Sequence, residues 1–157
     1  MGLQNNIQSE RVARLPLREG IIVAADATVR SVMDRMRQRQ LGCAIVVDPD
    51  GRPLGTFSER TVIELLLQQP DQLEQLTVGR ALDEAWYQVR NTDPIVAVLD
   101  LVQQQGARFV CVIDEQGRAV GLTGQKGLSE YIADHYPQQV MIQRVGGRPG
   151  QLAREGA

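Results

Sequence analysis

The sequence predicts an α/β (α+β) fold made of two similar repeats, each strand-helix-strand-strand-helix, packed about a pseudo-twofold axis. Three observations predict it. Sliding the chain by 66 residues gives a gapless self-match from about residue 12 to residue 64, with identities such as Val12/Val78, Val23/Val89, Asp48/Asp114, Gly51/Gly117 and Gly55/Gly121. Val29, Val32, Met33 and Met36 correspond to Ile95, Val98, Leu99 and Val102, and each set falls at i, i+3, i+4, i+7, the buried face of a helix. Ala44–Val47 and Phe109–Ile113 are unbroken apolar runs, suited to strands buried on both faces.

The elements follow in chain order. The first strand of each repeat is Ile21–Ala24 and Tyr87–Arg90. Asp26 and Thr92 are residue types that cap the next helix, and Pro94 suits its first turn. After each apolar strand, Asp48-Pro49-Asp50-Gly51 and Asp114-Glu115-Gln116-Gly117 read as tight turns, with glycine where a positive φ is needed. Short strands return through Leu54–Phe57 and Val120–Thr123. Second helices run from Ser58 to about Gln68 and from about Gly124 to His135, closed by Pro70 and Pro137. Repeat one thus spans residues 10–69 and repeat two 76–136, joined by a linker at Gln69–Leu76. Residues 137–157 form a C-terminal arm, extended at Val140–Val145, and a Gly/Arg-rich tail expected to be disordered.

Composition narrows the function. The chain of 157 residues is 43% apolar but only 4% aromatic, so aliphatic side chains must fill the core. A net charge of −2 without a basic stripe argues against a nucleic-acid partner. Met1–Arg11 is polar, and no run approaches the roughly 20 apolar residues of a membrane span, so a cytoplasmic protein with no membrane partner is expected. Cys43 and Cys111 lie in or beside apolar runs and read as small buried hydrophobes; a bridge between them is the alternative. His135 is the only histidine, on a helix face with Leu128, Tyr131 and Ile132. With one histidine there is neither a transition-metal set nor a nucleophile–base arrangement, and no enzyme is expected. Asp83 and Glu84 stand between the repeats without partner carboxylates that would argue for catalysis.

Two stretches, ATVRSVMDRMRQRQLGCAIVVDPDGRPLGTFSERTVIELL and DPIVAVLDLVQQQGARFVCVIDEQGRAVGLTGQKGLSEYI, share an apolar helix, an aliphatic strand ending in Asp, a turn at Gly and a following Gly. This pattern resembles the CBS domain, found in tandem in Bateman modules, and the resemblance covers roughly residues 10–136. It implies a regulatory module that binds adenosine-containing ligands (AMP, ADP, ATP or S-adenosylmethionine) between the repeats. It also implies a homodimer and an unidentified protein partner. The alternative is a structural, dimerising pair that has lost nucleotide binding.

The family's ligand motif is a Gly on the last strand followed by Ser/Thr-x-x-Asp at the start of the second helix. A helix N-terminus attracts phosphate, and the carboxylate bridges ribose hydroxyls. Carried onto this chain, repeat one has Gly55, Ser58 and Thr61, with threonine where the family has Asp. Repeat two has Gly121, Gly124 and Gly127, with no side chain at either polar position. On this comparison the first half-site retains more binding chemistry than the second. Arg60 and Lys126, the only lysine, hold equivalent positions, open to phosphate contact or to plain solvation. Ser58 is equally suited to be a helix cap. The family's apolar adenine pocket maps onto Ile21, Ile22 and Val23 with Cys43 and Ala44, and onto Tyr87, Gln88 and Val89 with Phe109 and Val110; ordinary core is the other reading of each.

Overall fold

A computed structural model describes residues 2–136; the predicted arm and tail at 137–157 lie outside the described residues. After a short helix α1 (Leu3–Ser9), the chain runs β1 (Ile21–Ala24), α2 (Val29–Arg39), β2 (Cys43–Val47), β3 (Pro53–Ser58) and α3 (Glu59–Gln68). It then repeats the order as β4 (Gln88–Arg90), α4 (Ile95–Gln105), β5 (Phe109–Ile113), β6 (Ala119–Gly124) and α5 (Gln125–His135). Each half makes a three-stranded sheet, ordered β1-β2-β3 and β4-β5-β6. β1 and β2 pair in parallel because α2 crosses over between them, whereas β2 and β3 pair antiparallel across a tight turn. The turn is self-locking in both halves. Asp48 Oδ1 accepts from the Asp50 and Arg52 amides, and Asp114 Oδ1 from those of Gln116 and Arg118, all at 2.9 Å. Gly51 and Gly117 supply the required φ of 83° and 80°.

The two central strands are buried on both faces, and their alternation feeds different cores. Ala44 and Val46 join the core of the first half, with Ile21, Val29, Val32 and Phe57. Val110 and Val112 join that of the second, with Ile95, Val98 and Tyr131. Their odd-numbered neighbours Cys43, Ile45, Cys111 and Ile113 pack together in a third cluster. Both thiols are free and buried.

The halves are not independent units. Val12 and Leu15 precede β1 but lie in the second core, and their counterparts Val78 and Ala81 precede β4 but lie in the first. The crossing is symmetric to the hydrogen bond. The Val12 and Ala13 amides donate to the Asp93 and Asn91 carbonyls at 2.8 and 3.0 Å. The Val78 and Gly79 amides donate to those of Ala27 and Ala25 at 2.8 and 2.9 Å.

This exchange moves the helix starts away from the positions expected. α2 is capped by Thr28, whose Oγ1 accepts the Ser31 amide at 3.2 Å, not by Asp26; α4 begins after Pro94, not after Thr92. Bridges Thr28↔Thr77 and Arg11↔Pro94 hold those two residues extended, so neither helix can start earlier. Gln69–Leu76 is likewise no free linker. Leu73 is buried in the first core, and the Leu73 and Leu76 carbonyls accept the Arg30 and Val29 amides at the head of α2. The polar N-terminal stretch forms α1, unforeseen because Ile7 is its one buried residue. It docks on α4, and the adjoining Glu10 accepts a hydrogen bond from the buried Tyr131 hydroxyl. His135 packs back on Tyr131, with ring centroids 4.3 Å apart.

Val12 and Val78 are both fully buried, and each seals the core of the opposite half. Val78→Ala and Val12→Ala should therefore each cost about 2 kcal/mol. In urea unfolding, each should move the midpoint of one shared transition rather than split it into two.

Candidate functional site

Two clefts lie where the halves meet, and each is built from both. The first, of about 650 Å³, sets Ser58, Arg60 and Thr61 at the head of α3 against Asp83, Trp86 and Tyr87 on the approach to β4. The second, of about 490 Å³, sets Gly124, Lys126 and Gly127 at the head of α5 against Pro16, Arg18 and Cys43. They are the Asp83 cleft and the Lys126 cleft below. Glu59 and Arg108 line both, paired at 3.7 Å.

The Asp83 cleft is organised by one carboxylate. Asp83 Oδ1 accepts from the Ser58 amide at 3.0 Å, the Ser58 hydroxyl at 2.9 Å and the Thr61 hydroxyl at 2.5 Å. Asp83 Oδ2 accepts from the buried Thr56 hydroxyl at 2.7 Å, and the Asp83 amide donates to the Thr56 carbonyl at 2.8 Å. A carboxylate is therefore held at the head of α3, where the helix dipole favours an anion. Ser58 precedes the helix but makes no side-chain cap of its own; its hydroxyl hydrogen, like that of Thr61, goes to Asp83. Ser58 and Thr61 are thus not free donors, as their place in the motif suggested.

The Lys126 cleft lacks this network entirely. Under the 66-residue offset, Thr56, Ser58, Thr61 and Asp83 become Leu122, Gly124, Gly127 and Leu17. All four polar members are absent together. The glycines also have backbone reasons. Gly124 has φ 146°, and a Cβ there would come within 2.2 Å of the Arg108 carbonyl oxygen. A Cβ on Gly127 would meet Thr123 Oγ1 at 2.5 Å. That hydroxyl is buried and has no hydrogen-bond partner among the described residues.

The predicted site residues are thus redistributed. Ser58, Arg60 and Thr61 line the Asp83 cleft, whereas Cys43 joins Gly124 and Lys126 in the other. Ile22, Ala44, Gln88 and Val110 line neither cleft. Ala44 and Val110 are fully buried, one in each half's core, because strand alternation turns them away from the neighbouring residues Cys43 and Phe109. Ile22 and Gln88 are exposed. Sequence reasoning passed over Asp83, Trp86, Arg108 and Arg18 as site residues. The available signal was the offset itself, which sets Asp83 against an apolar Leu17. Burial pushes the Cys43 thiol well up, with the Asp83 charge adding to it. The Cys111 thiol is pushed up to about 12 by burial. Both thiols are neutral at physiological pH.

A tandem α/β pair with composite clefts at its pseudo-twofold junction is a fold with known relatives. Residues 12–68 match the family model of the CBS domain. The chain is 21% identical to a CBS domain protein from Pyrobaculum aerophilum complexed with AMP, with a TM-score of 0.69 over 85% of this chain and 97% of that one. It is 14% identical to the CBS domain pair of protein MJ0100 in complex with 5′-methylthioadenosine and S-adenosyl-L-methionine, with a TM-score of 0.68 over 80% and 97%. An uncharacterized protein of Methanopyrus kandleri is 18% identical over 74% of this chain, which spans 59% of that relative's length. Residues 12–68 thus match the CBS domain, and the chain as a whole has the fold of a CBS pair. No helix among the described residues is long and apolar enough to cross a membrane.

Gly124→Ser would restore the family's residue type, yet the backbone forbids it. We expect the variant to lose about 1–3 kcal/mol of stability in chemical denaturation, with no gain in ligand affinity.

Proposed function

We propose that this chain is a regulatory module that binds an adenosine-containing ligand in the clefts between its repeats. The observation that carries the reading is the composite build of the clefts. Each sets the head of one repeat's second helix against the approach to the other repeat's first strand, in a cavity of 650 or 490 Å³, within the roughly 300–1,000 Å³ of small-molecule sites. A ligand there touches both halves. It favours whichever inter-repeat arrangement fits it best and so reports its presence to a partner. The AMP and S-adenosylmethionine complexes of similarly folded proteins support the ligand class.

A thermal-shift panel of AMP, ADP, ATP, S-adenosylmethionine and NAD tests this. At 100 times its dissociation constant a ligand should stabilise the protein by about 2.7 kcal/mol. A flat response across the panel at millimolar concentration would sink the reading.

A second, structural reading is favoured by one surface feature. Ile63, Leu66 and Leu67 on α3 are 58%, 45% and 80% exposed and fall at i, i+3, i+4, one apolar stripe. We propose that a second copy of the chain covers it in a homodimer. Light scattering after size exclusion should give a dimer for the natural chain and a monomer for Leu67→Glu. A natural chain that is monomeric at high concentration counts against the homodimer.

A further inference from the structure

Resting on the reading of the clefts as nucleoside sites, we propose that the Asp83 cleft takes an adenosyl ligand carrying no phosphate, neutral or cationic, and that Asp83 enforces this choice.

The head of α3 is the natural seat for a phosphate in this cleft. Asp83 already sits there, and it holds the Ser58 amide and the hydroxyl hydrogens of Thr56, Ser58 and Thr61. An arriving phosphate would meet a like charge and find those donors taken. A nucleoside hydroxyl or an ammonium brings its own hydrogen. Asp83 Oδ2, which among the described residues accepts only from Thr56, has a lone pair left for it.

The surroundings have the same sign. Glu59, Glu64, Asp83 and Glu84 line the cleft against two guanidiniums, Arg60 and Arg108. Both are already paired with carboxylates, Arg60 with Glu64 at 3.5 Å and Arg108 with Glu59 at 3.7 Å. Among the described residues no cation pairs with Asp83 or Glu84. Trp86, Tyr87 and Phe109 add aromatic surface, which suits a purine face or a cation.

The duplicate half supplies an internal control. In the Lys126 cleft the offset replaces Asp83 by Leu17, Glu84 by Arg18 and Glu59 by Gln125. Three cations, Arg18, Arg108 and Lys126, then line this cleft with the single carboxylate of Glu59; Arg18 pairs with Glu130 at 3.1 Å and Arg108 with Glu59, which leaves Lys126 as the uncompensated charge among the described residues. One fold thus builds two clefts of opposite charge, and the acidity belongs to these residues rather than to the architecture.

Trp86 is the only tryptophan in the chain and lines the Asp83 cleft alone of the two, so its emission reports that cleft. The experiment titrates the full chain with 5′-methylthioadenosine, S-adenosylmethionine and AMP, following Trp86 emission and calorimetric heat together. The first two should perturb Trp86 with dissociation constants at least about tenfold below that of AMP. In Asp83→Asn, AMP binding read at Trp86 should tighten about tenfold, while S-adenosylmethionine weakens. AMP heat without a Trp86 response places AMP in the Lys126 cleft and supports the proposal. AMP and 5′-methylthioadenosine acting on Trp86 within about threefold of each other would overturn it, as would an unchanged preference in Asp83→Asn. Calorimetric silence for all three ligands would overturn the nucleoside reading itself, and this inference with it. Should circular dichroism show Asp83→Asn unfolded, Glu84→Gln tests the same charge, with a smaller gain for AMP expected and no gain overturning the proposal.

Discussion

The leading segments that cross between the halves are the constraint on which the rest of the structure depends. Residues Val12–Arg14 and Val78–Arg80 each leave their own repeat and close the hydrophobic core of the other. A repeat of about 60 residues buries too small a fraction of its surface to be comfortably stable. Exchange solves this by giving each core a lid of buried aliphatic side chains. It also dictates where α2 and α4 begin, because the same segments hold Thr28 and Pro94 extended. And it creates the clefts, since the chain returning from the foreign core must pass the head of that half's second helix.

The site follows from this passage. Asp83 belongs to the second repeat by position, yet it reaches the head of α3 because its segment has just left the first core through Val78 and Ala81. There it meets three hydroxyls and one amide. Such a network is stable only when complete, since a half-satisfied buried polar group is costly. The second half keeps none of the four side chains and puts leucine or glycine at every one. The two halves thus differ at all four positions together, polar and acidic on one side, apolar and cationic on the other. Glu59 and Arg108, shared by both clefts, form the wall between them.

Much of the fold was legible in the residues. The 66-residue offset, the aliphatic strands and the Asp-x-x-Gly turns placed both sheets and the four larger helices within a residue or two, because these signals are local and periodic. α1 escaped because one buried Ile7 in a polar stretch carries no period. The pairing of site residues escaped for a different reason. Reading each repeat alone put Cys43 with Ser58, whereas folding puts Cys43 with Lys126 and leaves Ser58 facing Trp86.

Chain order and side-chain pattern were therefore enough to define two equivalent α/β units and the faces they bury. Local periodicity encodes which side of a strand or helix is apolar, independently of what covers it. Tertiary structure alone decided which half supplies the cover, and with it the composition and charge of each cleft. Contacts such as Asp83 to Thr61 join residues 22 apart in sequence and from different repeats. No local pattern specifies such a meeting; it follows from the crossing of the chain.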